Sequence, residues 1–180
     1  MPKEGSDKGG QSALLIIDVQ RALFGRSTPV YLAEELLLNI GYLVERAHES
    51  GMPVFYIQHA NKSFLAEGTD GWQLHSALKP NKSDIVIQKK HGNAFQKTTL
   101  RQELEARNID TLVITGLVTN GCVRATCMGA IKLGYRAVLV KDGHSTYQKK
   151  AASIIDEWNQ KLADEGLAVL PTAVALDSGL

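Results

Sequence analysis

The chain is punctuated by short apolar runs that do not alternate with polar residues. They fall at 13–18 (ALLIID), 53–58 (PVFYIQ), 84–88 (DIVIQ), 111–116 (TLVITG), 136–141 (RAVLVK) and 167–170 (LAVL). A strand with one wet face alternates in polarity; a continuous run suits a strand covered on both faces, as in a parallel sheet. Between the runs the period becomes helical. Residues 30–49 space Leu32, Leu36, Ile40, Leu43, Val44 and Ala47 along one face, and Gly51 and Pro53 end the pattern. A second helix is predicted from a cap at Thr98 or Thr99 to Arg107, with Leu100 and Leu104 inward. A third covers 122–133 and stops at Gly134. A fourth covers 149–164, with Ile154, Ile155, Trp158 and Leu162 on one face, and stops near Gly166. Strands alternating with helices imply right-handed crossovers and an α/β fold, a three-layer α/β/α sandwich.

Residues 59–82 have neither period. They hold Gly68, Gly71, Pro80, Phe64, Trp72, His59 and His75. Long excursions of this kind are either surface insertions or functional loops. The polar, Gly-rich residues 1–12 lack the apolar stretch of a signal peptide and read as a flexible tail. The expected organisation is that tail followed by one domain over 13–180. No apolar run nears the roughly 20 residues that span a bilayer.

Composition narrows the function classes. With 20 Lys+Arg against 19 Asp+Glu, the formal charge is +1, which gives no global attraction to nucleic acid or anionic membrane. The two cysteines, Cys122 and Cys127, are too few for a disulfide framework. They point to a reducing, cytoplasmic setting. The expected partner is a small-molecule substrate, with no nucleic acid and no membrane.

Ligands of open α/β sheets bind beyond the C-terminal strand ends. Those ends carry Asp18 and Gln20, then Gln58 and His59, Lys89 and Lys90, Cys122 after GLVTNG, and Lys141 and Asp142 before a GHST loop. A carboxylate, an ammonium and a thiol form a usable set. A cysteine in the first turn of a helix and beside a lysine is expected to favour thiolate. An aspartate can take the thiol proton and return it to a leaving amine. Taken singly, each residue has an ordinary reading as a packed thiol, a turn residue or a solvated strand end.

The segments ALLIIDVQRALF, IVIQKKHGNAF and IDTLVITGLVTNGCVRATCMGAIKLGYRAVLVKDGHST together resemble the isochorismatase-like cysteine hydrolases. The resemblance implies a six-stranded parallel sheet of order 3-2-1-4-5-6 and an Asp-Lys-Cys triad. In this sequence the triad is Asp18, Lys89 and Cys122; Lys90 competes for the lysine role, but the spacing to Ala94 and Phe95 favours Lys89. It also implies an oxyanion hole from the N–H groups of Val118 and Cys122, and a cis peptide at Leu117–Val118. The related nicotinamidase branch carries a metal-binding Asp-x-His where this chain has His59 and Asn61. The missing carboxylate implies the metal-free branch, with no metal and no cofactor. Gln20, Phe24, His59 and Trp72 are the expected substrate-binding residues, and Cys127 is expected to be structural. The implied activity is cleavage of a C–N bond in a small amide or carbamoyl compound through a thioester. Vinyl-ether cleavage and a non-catalytic scaffold are the alternatives. Family resemblance also implies a homo-oligomer.

Overall fold

The structure is a computed structural model and describes residues 10–177. Residues 1–9 of the expected tail lie outside that range, while Gln11 and Ser12 already belong to the first strand. The strands are β1 (Gln11–Ile17), β2 (Val54–His59), β3 (Ile85–Lys89), β4 (Ile109–Leu117), β5 (Arg136–Ser145) and β6 (Ala168–Leu170). All pair in parallel, in the order β3-β2-β1-β4-β5-β6. The helices are α1 (Arg21–Phe24), α2 (Ala33–Ser50), α3 (Leu100–Glu105), α4 (Arg124–Lys132) and α5 (Ala151–Asp164).

Side-chain alternation in the central strand builds two cores. Ala13, Leu15 and Ile17 of β1 face Leu100, Leu104, Val123, Cys127 and Leu162. Leu14 and Ile16 face Leu36, Ile40, Leu43 and Val44 of α2. Each buried leucine or isoleucine contributes about 1.5–3 kcal/mol. The three layers therefore follow from β1 and β4 presenting mostly apolar side chains to both faces, with Thr111 and Thr115 as buried polar exceptions.

Departures from the expected elements have local causes. β3 is an edge strand, so Val86 and Gln88 are exposed and only Ile87 and Lys89 are buried; the DIVIQ run is not covered on both faces. α2 starts at Ala33, because Leu32 takes a left-handed conformation at its N-cap. α3 is shorter than expected and Thr99 caps it without a side-chain bond. α5 begins at Ala151, after a left-handed Lys150. β5 does not stop at Lys141. It bulges, so that residues 140–143 stand opposite the single Thr115, and then resumes with His144 beside Gly116 and Ser145 beside Leu117. The expected GHST loop is therefore largely strand.

The site lies where the strand order reverses, between β1 and β4. There the backbones approach closely. Gly116 has φ +115, and a Cβ on it would sit 2.1 Å from the Ile17 carbonyl oxygen, so only glycine fits.

Candidate active site

Three chain segments deliver the expected triad. Asp18 is the first residue past β1, in a left-handed conformation (φ 52) that turns it out of the ladder. Lys89 is the last residue of β3, on the inward face of that edge strand. Its following loop is anchored on α4: the Ala94 N–H donates to Thr126 Oγ1 at 3.1 Å, and the Asn93 amide lies against Gly129, where a Cβ would come within 2.5 Å. Cys122 follows β4. The Leu117–Val118 peptide is cis, as the resemblance implied. After it the chain makes a π-helical turn over Thr119–Val123 before α4 begins at Arg124. In that turn the Val118 carbonyl accepts the N–H groups of Gly121 (3.0 Å) and Val123 (3.3 Å). Cys122 is thus held inside a tight turn, not in the first turn of an α-helix.

Lys89 is the centre of the cluster. Its Nζ lies 2.9 Å from Asp18 Oδ2, 2.9 Å from His59 Nδ1, 3.1 Å from the His91 carbonyl oxygen and 3.2 Å from Cys122 Sγ. Four acceptors surround a group with three hydrogens. Asp18 and Lys89 are 3% and 1% exposed, so water compensates neither. Asp18 Oδ1 is buried without a hydrogen-bond partner. The thiol lies near enough to perturb the carboxylate, and one donor atom each of Asp18, His59 and Cys122 falls within a 4.8 Å sphere of mutual distances. The contact nevertheless stops short of a formed hydrogen bond. An unsatisfied buried carboxylate oxygen is costly and calls for an explanation; here Oδ1 is left open to accept a proton.

The electrostatics overturn one expectation. Cys122 is not biased to thiolate. Burial pushes its thiol up to about 12, the Asp18 carboxylate pushes the same way, and Lys89 only partly opposes them. Asp18 is itself raised above the carboxylate range, chiefly by burial, against the pull of Lys89. Both groups hold protons more tightly than usual, which suits a carboxylate base beside a neutral thiol. Burial, then Lys89, lowers His59. A neutral imidazole accepting from Lys89 at Nδ1 carries its proton on Nε2, an assignment made from the hydrogen bonds.

The expected substrate-binding residues separate into two groups. Gln20 is fully buried and its amide is spent on backbone. Nε2 donates to the carbonyls of His59 (2.9 Å) and Trp72 (2.7 Å), and Oε1 accepts the His59 N–H (2.9 Å). Gln20 is therefore a positioning residue that ties β2 to the 59–82 excursion. His59 is half-buried and joins the Lys89 cluster. Phe24 and Trp72 are half-buried. The Phe24 ring centroid is 4.5 Å from that of His75, and the Trp72 indole N–H is buried with no acceptor. Cys127 is fully buried in the core, and burial alone raises its thiol to about 12.

Asp18, His59 and Cys122 offer three ligand atoms for a metal, yet they converge on the Lys89 ammonium. A metal ion there would face a fixed positive charge. Asn61, at the position of the missing carboxylate, turns its Oδ1 to the N–H groups of Ser63 (2.8 Å) and Leu65 (3.0 Å). This donor set does not fit a cation.

One supporting residue is invisible to sequence reasoning. His144 is buried at the end of β5. Its Nδ1 lies 2.8 Å from Thr119 Oγ1 and its Nε2 2.9 Å from Asn159 Oδ1. Thr119 opens the turn that carries Cys122, so this relay braces the backbone of that turn. Its only sequence signal is the polar GHST segment at a predicted strand end.

The sequence profile of the Isochorismatase domain matches residues 12–160. The chain is 34% identical over 147 residues to a streptothricin hydrolase of Streptomyces noursei, across 81% of this chain and 53% of that protein. It thus spans about half the length of that relative. It is 29% identical to the ureidoacrylate amidohydrolase RutB of Variovorax paradoxus, across 79% of this chain and 71% of that one. Among solved structures, an isochorismatase from Pseudomonas putida KT2440 superposes with a TM-score of 0.84 at 28% identity, covering 91% of this chain and 89% of the other. Among the described residues no helix is long and apolar enough to cross a membrane. The clustering of Asp18, Lys89 and Cys122 at the β1/β4 switch point, the sheet order and the matched profile together make this chain a member of the isochorismatase family of hydrolases.

Proposed function

We propose that the protein is a metal-independent cysteine amidohydrolase acting on a small amide or carbamoyl compound. The carrying observation is the buried Lys89 ammonium, in contact with Asp18, His59 and Cys122 while Asp18 Oδ1 stands unpaired. Relatives whose names specify amide hydrolysis support the same class.

Asp18 Oδ1 takes the thiol proton as Cys122 Sγ forms a bond to the substrate carbonyl carbon. Deprotonation coupled to attack suits a thiol held near 12, because a free thiolate never has to accumulate. Lys89 offsets the negative charge shared by carboxylate and sulfur. The N–H groups of Val118 and Cys122 hold the oxyanion. Protonated Asp18 then passes its proton to the departing amine nitrogen as the C–N bond breaks, leaving a thioester. A water gives a proton to Asp18, adds to the thioester carbonyl and releases the acid. The thiolate takes that proton back. His59 Nε2–H, Phe24 and the unpaired indole N–H of Trp72 form the substrate wall.

Ammonia release from a panel of amides and carbamoyl compounds tests the reading, comparing the wild type with Cys122→Ala. Loss of release in the variant supports it. Turnover of an isochorismate-type ether that survives loss of the thiol assigns the fold to vinyl-ether cleavage instead.

A further inference from the structure

Arg26 lies in the loop after α1, with its guanidinium carbon 4.8 Å from the Phe64 ring centroid and 4.4 Å from that of Tyr147. Phe64 belongs to the loop leaving β2, and Tyr147 to the segment leaving β5. Three loops from the C-terminal edge of the sheet therefore meet at one guanidinium, on the edge that bears the triad. The link to the nucleophile is short: Gln148, next to Tyr147, accepts the side-chain amide of Asn120 at 3.2 Å, and Asn120 shares the turn of Cys122.

The chain has seven arginines. Five of them (Arg21, Arg46, Arg101, Arg107 and Arg136) pair with a carboxylate. Among the described residues no acid pairs with Arg26, although its side chain is exposed and free to find one. The two rings flank the guanidinium, and a cation–π contact requires none of its N–H groups to be spent on a hydrogen-bond acceptor. Holding it this way also removes the rotamer freedom a ligand would otherwise have to restrict. An unspent donor fork at the rim of a site matches one ligand chemistry above others, a planar oxyanion bound through two parallel hydrogen bonds.

We propose that Arg26 is an anion receptor at the mouth of the site, and that the substrate carries a carboxylate at the end remote from its scissile C–N bond. The substrate class rests on the amidohydrolase reading; the receptor does not, and its test avoids turnover. N-iodoacetyl derivatives of glycine, β-alanine and γ-aminobutyrate place a carboxylate at increasing distance from an electrophile for Cys122. Their methyl esters are the neutral controls. Labelling of Cys122 is followed by mass spectrometry in the wild type and in Arg26→Gln.

At the matching length the acid labels Cys122 about tenfold to a hundredfold faster than its ester, the scale of a charge-assisted hydrogen-bonded pair. Arg26→Gln removes that preference and leaves the ester rate unchanged. The proposal is overturned if no length favours the acid, or if the preference survives Arg26→Gln. An Arg26-dependent preference without hydrolysis of any amide keeps the receptor and removes the hydrolase. Hydrolysis without the preference does the reverse.

Discussion

Two polar clusters are buried at the C-terminal edge of the sheet, and they are finished differently. Behind β5, His144 is bonded at both ring nitrogens, and Asn159 closes the chain by donating to the Lys141 carbonyl at 3.3 Å. Burial lowers His144, so the cluster is neutral as well as saturated. In front of β1 and β4, Lys89 and Asp18 meet in a buried ion pair, four acceptors share three ammonium hydrogens, and one carboxylate oxygen has no partner. The saturated cluster fixes a backbone; the unsaturated one retains capacity to move a proton. The two cysteines repeat the lesson. Both thiols stand near 12, but Cys127 sits in the apolar core with no charged group acting on it, whereas Cys122 has Asp18 beside it. A raised thiol is inert in one place and ready for coupled deprotonation in the other.

The comparison breaks most sharply at the nucleophile. Cys122→Ala is expected to lower kcat by about 10³-fold or more, since groups that act as a unit fail together. Cys127→Ala leaves kcat within a few-fold, and its cost appears in thermal unfolding as a cavity of roughly 1–2 kcal/mol. Steady-state kinetics and melting curves on the two variants separate these outcomes. Equal losses of kcat would mean that the neighbouring base is irrelevant.

Next in size is the charge pair. Lys89→Met leaves the Asp18 carboxylate buried without its cation, which costs roughly 3–5 kcal/mol in folding. Adding Asp18→Asn removes the orphaned charge and recovers part of that loss, though not activity. Denaturant titration of the single and double variants measures the coupling. Strict additivity would show that the pair is not energetically linked.

The pH profile sharpens the contrast further. Asp18 must be ionised to accept the thiol proton, and its folded pKa lies above the ordinary 3.8. The protonated, inactive form therefore persists to higher pH, and the acid limb of kcat/KM is displaced upward from the usual carboxylate position. Alkylation of Cys122 by iodoacetamide keeps rising with pH beyond neutrality, because the thiol ionises only near 12. A plateau near pH 7 would identify a preformed thiolate–ammonium pair instead.

Much of this was readable in the chain. All six strands are legible as apolar runs, and for the four inner strands the reason is that a strand covered on both faces leaves few polar gaps in its sequence. The edge position of β3 was not readable, since exposure of Val86 depends on where the strand sits in the sheet. The resumption of β5 after its bulge was hidden because Lys141, Asp142 and Gly143 look like a turn. Asp18, Lys89 and Cys122 are legible as a set through strand-end position and family resemblance, and the fold brings them together. The thiol's protonation state was misread because proximity to a lysine and a helix is visible in sequence, whereas burial, which outweighs both, is not. The supporting contacts of Gln20, expected to bind substrate, and of His144 are hidden for a related reason: each acts through partners 15 to 52 residues away in the chain.

The smallest effect concerns the saturated cluster. His144→Phe keeps an aromatic ring but strips Thr119 Oγ1 and Asn159 Oδ1 of their partner, at a cost of about 1–3 kcal/mol. The pH dependence identifies the cause. The folded pKa of His144 lies below its unfolded value of 6.5, so on acidification the unfolded chain binds a proton before the folded one does. The imidazole's contribution is complete above 6.5 and is lost progressively as pH falls from there toward the depressed folded value. The melting temperature of the wild type should therefore decline over that window, and the decline should be shallower in His144→Phe. Because Thr119 opens the turn of Cys122, the variant should also lower kcat by less than tenfold without altering the acid limb that Asp18 sets. A shifted acid limb would mean that the two clusters exchange protons and that their separation into a fixed support and a working site is wrong.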